Sequence, residues 1–426
     1  MLAKLIARSE AFWKGMMFDC HACGQCVLSK TGLVCPMSCP KGLRNGPCGG
    51  TLEGECEVYP DLECVWVRIH RRTSKGAFSL PELIPSPDSS LYFTSSYLNL
   101  VSGKDKAGRT PLPYPELGAD RVELPTQTES GLEKELRRGR FVKTCEIRAP
   151  RGSDLSHFRA EALVVRDHFD AVNATAYLNG KPSLPSTVAA AELRKLGIDP
   201  ICQATCRDHT KTSFISEIIE NEMNGVHNLL CLTGDSYVGT PKIKQVFDMD
   251  SSLMLYEARS LREKGTINFL QEKMKTPPKM FLGAAINPYT QPANVPIRRL
   301  KQKAAAGADF IQTQTIFDVG GFEDFMGIVV REKLHRELFI LAGIPVVTSR
   351  GALEMLPHIP GVKIPPEIWQ RLSDAKDIEK EGVALAKEII GGVRAIPGVA
   401  GVHLMLFGSD HKVLLDVIEG LEDFRE

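Results

Sequence analysis

The chain has 426 residues, and its 52 lysine and arginine residues balance 52 aspartate and glutamate residues, so the formal net charge is zero. A neutral chain has no global field to gather a polyanion, and we expect no nucleic-acid partner. No run of about 18 apolar residues occurs, so we predict no membrane span. Charged residues interrupt the first 19 positions, unlike a secretory signal, and we therefore predict a cytoplasmic location.

Cysteines are concentrated at the start of the chain. Eight of the twelve lie within the first 64 residues, namely Cys20, Cys23, Cys26, Cys35, Cys39, Cys48, Cys56 and Cys64. In a protein without a secretory signal, this density predicts metal ligands before disulfides. Two residues separate each member of the trio Cys20, Cys23 and Cys26, a spacing typical of three ligands to a four-iron cluster whose fourth ligand lies elsewhere.

The eight thiolates leave the metal content open. They match two [4Fe-4S] clusters, one cluster with a four-cysteine zinc site, or two zinc sites. The gaps within the trio favour iron–sulfur, because zinc rarely uses three thiols at consecutive two-residue gaps. For two clusters, our predicted pairing joins the trio with Cys64, and Cys35 with Cys39, Cys48 and Cys56.

The cysteine-rich module is predicted to span residues 1–105. Its tail, 92–101, has the composition of a strand. Prolines then punctuate the chain, and we interpret residues 106–128 as a semi-rigid linker. Ser130 and Glu133 form a capping-box pattern that predicts a short helix over 132–138.

From residue 140 onward, short apolar segments alternate with amphipathic helical ones. The predicted strands are 141–148, 171–175, 200–206, 227–235, 280–287, 310–317, 338–347 and 402–407. The clearest predicted helices between them are 157–169, 213–223, 253–264, 295–306 and 384–393. This count predicts an α/β fold, a (β/α)8 TIM barrel over residues 129–426. A doubly wound open sheet is the alternative, less favoured because no GxGxxG motif follows the first strand.

Polar residues lie at or near the carboxyl ends of the predicted strands. They are Glu146, Thr175, Thr205, Asp235, Asn287 and Gln314. In a (β/α)8 barrel this end carries the active site, so these side chains are candidates for it.

Several short segments at these strand ends resemble the methylenetetrahydrofolate reductase family, over roughly residues 130–426. They are 144–150 (TCEIRAP), 232–235 (LTGD), 301–307 (KQKAAAG), 313–318 (TQTIFD) and 362–365 (VKIP). The module is similar to the small cysteine-rich partner found with this reductase in acetogens and other anaerobes. The stretches 39–50 and 94–99 carry that second resemblance.

The resemblance implies flavin chemistry, in which reduced FMN or FAD transfers a hydride to 5,10-methylenetetrahydrofolate and gives 5-methyltetrahydrofolate. It assigns Glu146 as the general acid that protonates N10, and Asp235 as the carboxylate that stabilises the cationic iminium. Both would contact substrate together with Gln314, which would recognise the amide edge of a folate or a related pterin. The implied flavin contacts are Thr175, Gln203, Thr233, Gly234, Asp235, Phe247, Asp248, Ala285, Asn287 and Lys303, the last toward a phosphate.

Four of these residues also have a structural interpretation. Glu146 fits an ion pair, Asp235 a helix cap, and Gln314 a hydrogen bond inside the barrel. Lys303 fits a solvated helix face.

A thiolate-rich module joined to a flavin barrel predicts an electron path, with ferredoxin or a larger electron-transfer complex as donor, in a homo-oligomer. Two other classes stay open. One is a methyltransferase-type pterin barrel that moves the methyl group of methyltetrahydrofolate to a corrinoid. The other is a zinc-stiffened, non-enzymatic adaptor.

Overall fold

A computed structural model of the protein describes residues 1–74, 76, 83–105, 128–177, 180–237 and 243–420. Of the predicted linker at 106–128, only Thr128 lies within these ranges, and the rest lies outside the described residues. None of the described helices is long and apolar enough to cross a membrane.

The described part of the cysteine-rich module contains three helices joined mainly by loops: α1 (Leu2–Phe18), α2 (Val65–Thr73) and α3 (Ser96–Val101). A small apolar core of its own surrounds the fully buried Trp66 of α2. The strand predicted for the tail at 92–101 is wrong, because the hydroxyl of Ser95 accepts a hydrogen bond from the Leu98 amide at 3.2 Å and caps α3. Helix α1 buries no residue, and Glu10 on it accepts hydrogen bonds from Ser95 and Ser96.

Helix α4 (Gly131–Arg137) precedes eight parallel strands that form a closed barrel. The strands are β1 (Val142–Ile147), β2 (Ala171–Ala174), β3 (Pro200–Thr205), β4 (Asn228–Leu232), β5 (Phe281–Ile286), β6 (Phe310–Thr315), β7 (Phe339–Val347) and β8 (Val399–Phe407). Each pairs with its neighbours in sequence, and β1 closes the barrel against β8. The predicted (β/α)8 architecture is confirmed.

Helices lie between and after the strands. They are α5 (Ser156–Val165), α6 (Ser186–Lys195), α7 (Lys211–Met223), α8 (Ser251–Lys264), α9 (Asn294–Ala306), α10 (Val319–Arg331), α11 (Arg350–Met355), α12 (Pro366–Asp374), α13 (Ile378–Arg394) and α14 (Val413–Ile418). All five predicted helices are among them. Their apolar faces and the outward side chains of the strands form the largest core cluster.

The barrel interior is filled from the bottom. The predicted cap is present, since the Ser130 hydroxyl accepts from the Glu133 amide at 3.0 Å and starts α4. This helix inserts Leu132 and Leu136 into an apolar layer with side chains of the strands, including Phe310. The lower barrel is therefore packed mainly by apolar side chains, and a second, polar layer lies nearer the carboxyl ends of the strands.

Candidate active site

A buried polar layer lies inside the barrel, above the apolar one. Asn173 and Gln312 exchange two amide hydrogen bonds, at 2.8 and 3.1 Å. The Gln312 Nε2 atom also lies 3.4 Å from Nδ1 of His403, and the Thr144 hydroxyl lies 3.0 Å from the same nitrogen. Because Gln312 uses its oxygen on Asn173, it presents N–H to Nδ1, which places the proton of a neutral His403 on Nε2.

His403 faces the predicted general acid. Burial lowers the pKa of His403 to about 3, so the ring is neutral, and its Nε2 lies 4.0 Å from Oε2 of Glu146. The Glu146 side chain is 20% exposed. Desolvation raises the pKa of this carboxyl, although Arg148 and His411 oppose the effect. Glu146 therefore keeps its proton to a higher pH than a free glutamate, as a general acid requires.

Asp235 follows β4 in a loop that needs a glycine. Gly234 has φ +82°, and a Cβ there would lie 2.9 Å from Cβ of Arg207. Arg207 donates to the backbone oxygen of Asp235 at 3.1 Å. Asp235 itself is exposed, so its carboxylate can meet a ligand.

Gln314 is already engaged within the protein. Its Nε2 donates to the Pro360 carbonyl at 3.1 Å, and its Oε1 accepts from the Thr315 amide at 3.0 Å. These two bonds leave one N–H and one lone pair of the Gln314 amide that could meet the edge of a pterin. Its role in substrate recognition stays a prediction.

Three predicted flavin contacts lie beside Asp235 on the β2–β4 side. Thr175 is buried and accepts from the Ala149 amide at 3.3 Å. Gln203 accepts from the Ala176 amide at 3.2 Å, which leaves its NH2 group as a donor. Thr233 lies 3.4 Å from the Ser251 hydroxyl. These positions offer donors and acceptors for a polar ring edge.

Five other predicted flavin contacts are occupied by the protein itself. Lys303 is buried and donates to the Ala285 carbonyl, and desolvation lowers its pKa to about 7. Asn287 donates to the carbonyls of Gly49 and Gly361, both at 3.0 Å. Asp248 accepts from the Lys211 amide at 3.0 Å, and the Phe247 ring lies 5.6 Å from Nζ of Lys41. The role of these positions as flavin contacts stays a prediction, and the buried Lys303 is not on a solvated face.

The N-terminal cysteines form two groups in space. The first, Cys20, Cys23, Cys26 and Cys35, lines one cavity. The second consists of Cys39, Cys48, Cys56 and Cys64, whose thiols interact electrostatically. The predicted pairing therefore needs correction, because Cys35 joins the trio and Cys64 joins the other set. The reason is a 3-10 turn, Pro36–Ser38, that separates Cys35 from Cys39.

Among the described residues, no three His, Cys, Asp or Glu side chains converge closely enough to hold a single metal ion. The metal content of the two cysteine groups stays a prediction.

The second group adjoins the Asp235 loop. The Cys48 thiol donates to Oε2 of Glu57 at 3.2 Å, and Lys41 forms an ion pair with that oxygen at 2.7 Å. Lys41 also donates to the Gly234 carbonyl at 3.0 Å, while the Ser236 amide donates to Oε1 of Glu57 at 2.7 Å. The module thus contacts the rim of the barrel next to a predicted catalytic carboxylate.

Sequence reasoning missed His403, Gln312, Arg207, Lys41 and Glu57. Strand alternation was a usable signal for Gln312, which lies two positions before Gln314 on the same inward face. No local signal connects Lys41 or Glu57 with the barrel, since their partners lie 193 and 179 residues away.

The fold and the site define a TIM-barrel protein with two carboxyl groups at its carboxyl-end mouth and a thiolate-rich module against the rim. Within this class, the family model described as methylenetetrahydrofolate reductase matches residues 131–419. The chain belongs to the methylenetetrahydrofolate reductase family. A second model, described as methylene-tetrahydrofolate reductase C terminal, matches residues 2–84 and does not name a metal.

Two curated relatives are similar over about half of this chain. One is the probable methylenetetrahydrofolate reductase (NADPH) of Caenorhabditis elegans, 25% identical over 215 residues, or 49% of this chain and 29% of that protein. The other is methylenetetrahydrofolate reductase 2 of Schizosaccharomyces pombe, 26% identical over 238 residues, or 51% and 35%. The matches thus span about a third of the length of these relatives.

A solved structure supports the fold. It is an uncharacterized protein from Clostridium thermocellum that binds two copies of 5-methyl-5,6,7,8-tetrahydrofolic acid. The TM-score is 0.51 at 16% identity, covering 68% of this chain and 99% of that one.

Proposed function

We propose that the protein is a flavin-dependent reductase that converts 5,10-methylenetetrahydrofolate to 5-methyltetrahydrofolate. Family membership supports the reaction class. The observation that carries the proposal is the position of Glu146, a carboxyl with a raised pKa above a neutral histidine at the barrel mouth.

The residues on the β2–β4 side fit a flavin. Gly234 brings backbone to the rim where a side chain would not fit, and Asp235 and Gln203 offer an acceptor and a donor beside it. Thr175 and Thr233 complete this set. A bound reduced flavin would supply the hydride.

The chain's own groups handle the proton and the charge. Glu146 holds a proton and gives it to N10 of the substrate, which opens the five-membered ring and leaves a cationic iminium. The Nε2–H of His403 then faces the new carboxylate, which limits the cost of leaving it charged. Asp235 places a negative charge near the cation.

We also propose that the two cysteine groups hold two [4Fe-4S] clusters and that reduced ferredoxin or a larger electron-transfer complex is the donor. Clusters there would supply one-electron transfer. Support comes from the division of eight thiols into two sets of four, and from the contact of Cys48 with Glu57, whose other oxygen binds the Asp235 loop.

Anaerobic purification followed by iron, sulfide, zinc and flavin analysis tests the cofactors. We expect one flavin and about eight irons per chain. Zinc without iron would overturn the cluster proposal, and a colourless protein that cannot be loaded with FMN or FAD would overturn the flavin proposal.

Turnover of methylenetetrahydrofolate tests the reaction. We expect faster reduction with reduced ferredoxin than with NADPH, the donor named for the nematode relative. Glu146→Gln should lower kcat by about 10²–10⁴, the usual contribution of a general acid. Glu332→Gln removes an exposed carboxylate that pairs with Lys301 and serves as control. Equal loss in both variants, or none in Glu146→Gln, would contradict the assignment.

A further inference from the structure

The cysteine-rich module contacts the barrel at the loop that carries Asp235. Lys41 and Glu57 pair with each other, and both side chains are only 3% exposed. Lys41 then binds the Gly234 carbonyl and Glu57 binds the Ser236 amide, so the pair holds the residues on both sides of Asp235.

We propose that Lys41 and Glu57 are positioning residues that clamp residues 233–237, so that the module forms one wall of the flavin site. The inference rests on the proposed function and adds a structural task for the module besides electron transfer. Lys41 and Glu57 act through the loop and not on the substrate.

The burial of this pair supports a positioning role. A buried ion pair gains little stability over apolar residues of similar volume, because desolvation offsets the attraction between the charges. Here both partners also form hydrogen bonds with the backbone of the loop, at 3.0 and 2.7 Å. Such bonds to charged groups fix geometry, and their angular demands set where the loop can lie.

A second contact holds the far end of the same barrel segment. Asn45 donates to Oδ2 of Asp250 at 2.7 Å and accepts from the Ile84 amide at 2.7 Å. Asp250 in turn caps α8 by accepting from the Ser252 and Leu253 amides. The segment between β4 and α8 is therefore attached to the module at both of its described ends.

The fit between module and barrel is close at a third place. A Cβ on Gly50 would overlap the Glu57 carboxylate and lie 2.9 Å from Cβ of Pro360. Beside it, Asn287 at the end of β5 donates to the Gly49 carbonyl. The module thus contacts the rim after β4 and after β5, and it covers that sector of the mouth.

Two sets of substitutions, one in the module and one in the loop, test the clamp in the full-length, anaerobically purified protein. Lys41→Met with Glu57→Leu removes both charges together, so that neither is left buried alone. Ser236→Pro removes the amide that Glu57 accepts from and leaves the module unchanged. The matched controls are Lys301→Met with Glu332→Leu, an exposed pair, and Ser236→Ala, which keeps the amide.

The affinities for FMN and FAD are measured by quenching of flavin fluorescence, and amide hydrogen exchange is followed at residues 233–237. We expect both perturbations to weaken flavin binding about tenfold or more and to speed exchange, the size expected for losing hydrogen bonds to a charged group. The combined variant should bind about as weakly as either alone, because both changes break one clamp.

Three results would overturn the inference: unchanged flavin affinity, unchanged exchange, or effects that add. Iron and zinc are measured in every variant. If the Lys41→Met, Glu57→Leu variant loses metal, its result is set aside, and Ser236→Pro alone decides whether the clamp exists. If the parent protein binds no flavin, the proposed function fails, and the exchange data then decide separately whether the clamp exists.

Discussion

Replacement of His403 by leucine tests how the buried polar layer controls Glu146. The variant removes the Nε2–H that lies 4.0 Å from the Glu146 carboxylate, and it leaves the Gln312 amide and the Thr144 hydroxyl without their shared acceptor. The loss of a donor disfavours the charged carboxylate, so the pKa of Glu146 should rise further.

The magnitude follows from the geometry. The Nε2–H lies 4.0 Å from the carboxylate, beyond hydrogen-bond distance, so it stabilises the charge by less than a neutral hydrogen bond, which contributes about 0.5–1.5 kcal/mol net. One pKa unit corresponds to about 1.36 kcal/mol, so we expect an upward shift of up to about half a unit. Activity requires protonated Glu146 and falls as pH rises through its pKa, so the alkaline limb of the kcat/KM profile should move to higher pH. The Gln312 N–H that loses its acceptor should also lower unfolding stability by about 1–3 kcal/mol, whereas the Thr144 hydroxyl keeps the Val402 carbonyl at 3.3 Å.

The assay compares pH profiles of the parent, His403→Leu and the control His168→Leu, whose histidine is exposed on the barrel exterior. Circular dichroism confirms that each variant is folded. A folded His403→Leu variant whose alkaline limb stays in place, or moves to lower pH, would refute the reasoning.

The remaining predictions concern stability, metal and backbone. Because folding raises the pKa of Glu146, the free energy of unfolding should fall as pH rises from about 4.3, the pKa of a free glutamate, through the pKa in the folded protein. The melting temperature should decline over the same pH range, and Glu146→Gln should remove the part of this decline that is due to Glu146. Cys35→Ser and Cys64→Ser should each lower the iron content per chain by about half, and the double variant should lose nearly all of the iron. If both single variants lost the same cluster, the observed grouping of the cysteines would be contradicted. Gly234→Ala should destabilise the fold by about 1–3 kcal/mol and weaken flavin binding. The control is Gly327→Ala in α10, where an added Cβ would meet open space and should have neither effect. Equal melting temperatures of the two variants would refute the steric argument.

The barrel could be predicted because its signals are local. Each strand is a short apolar run and each helix repeats its apolar face within a few turns, so the alternation is visible without knowledge of contacts. The positions of Glu146 and Asp235 follow from the same pattern, since the carboxyl ends of parallel strands meet at one rim. The strand expected at 92–101 failed because a single cap at Ser95 favoured a helix there.

Contacts between distant segments could not be predicted in this way. Cys35 and Cys39 lie on opposite sides of the Pro36–Ser38 turn and belong to different cysteine groups. The spacing of the cysteines does not specify this separation. Asn287 was visible as the polar end of a strand, but nothing near it in the chain indicates that it binds the Gly49 carbonyl of the module.

The sequence by itself determined the fold class, the rim residues and the concentration of thiols, because each depends on residues close together in the chain. Only the tertiary structure decided which four cysteines meet, which neutral histidine lies under Glu146, and that Lys41 and Glu57 hold the Asp235 loop. These arrangements depend on chain segments that become neighbours only when the module packs on the closed barrel.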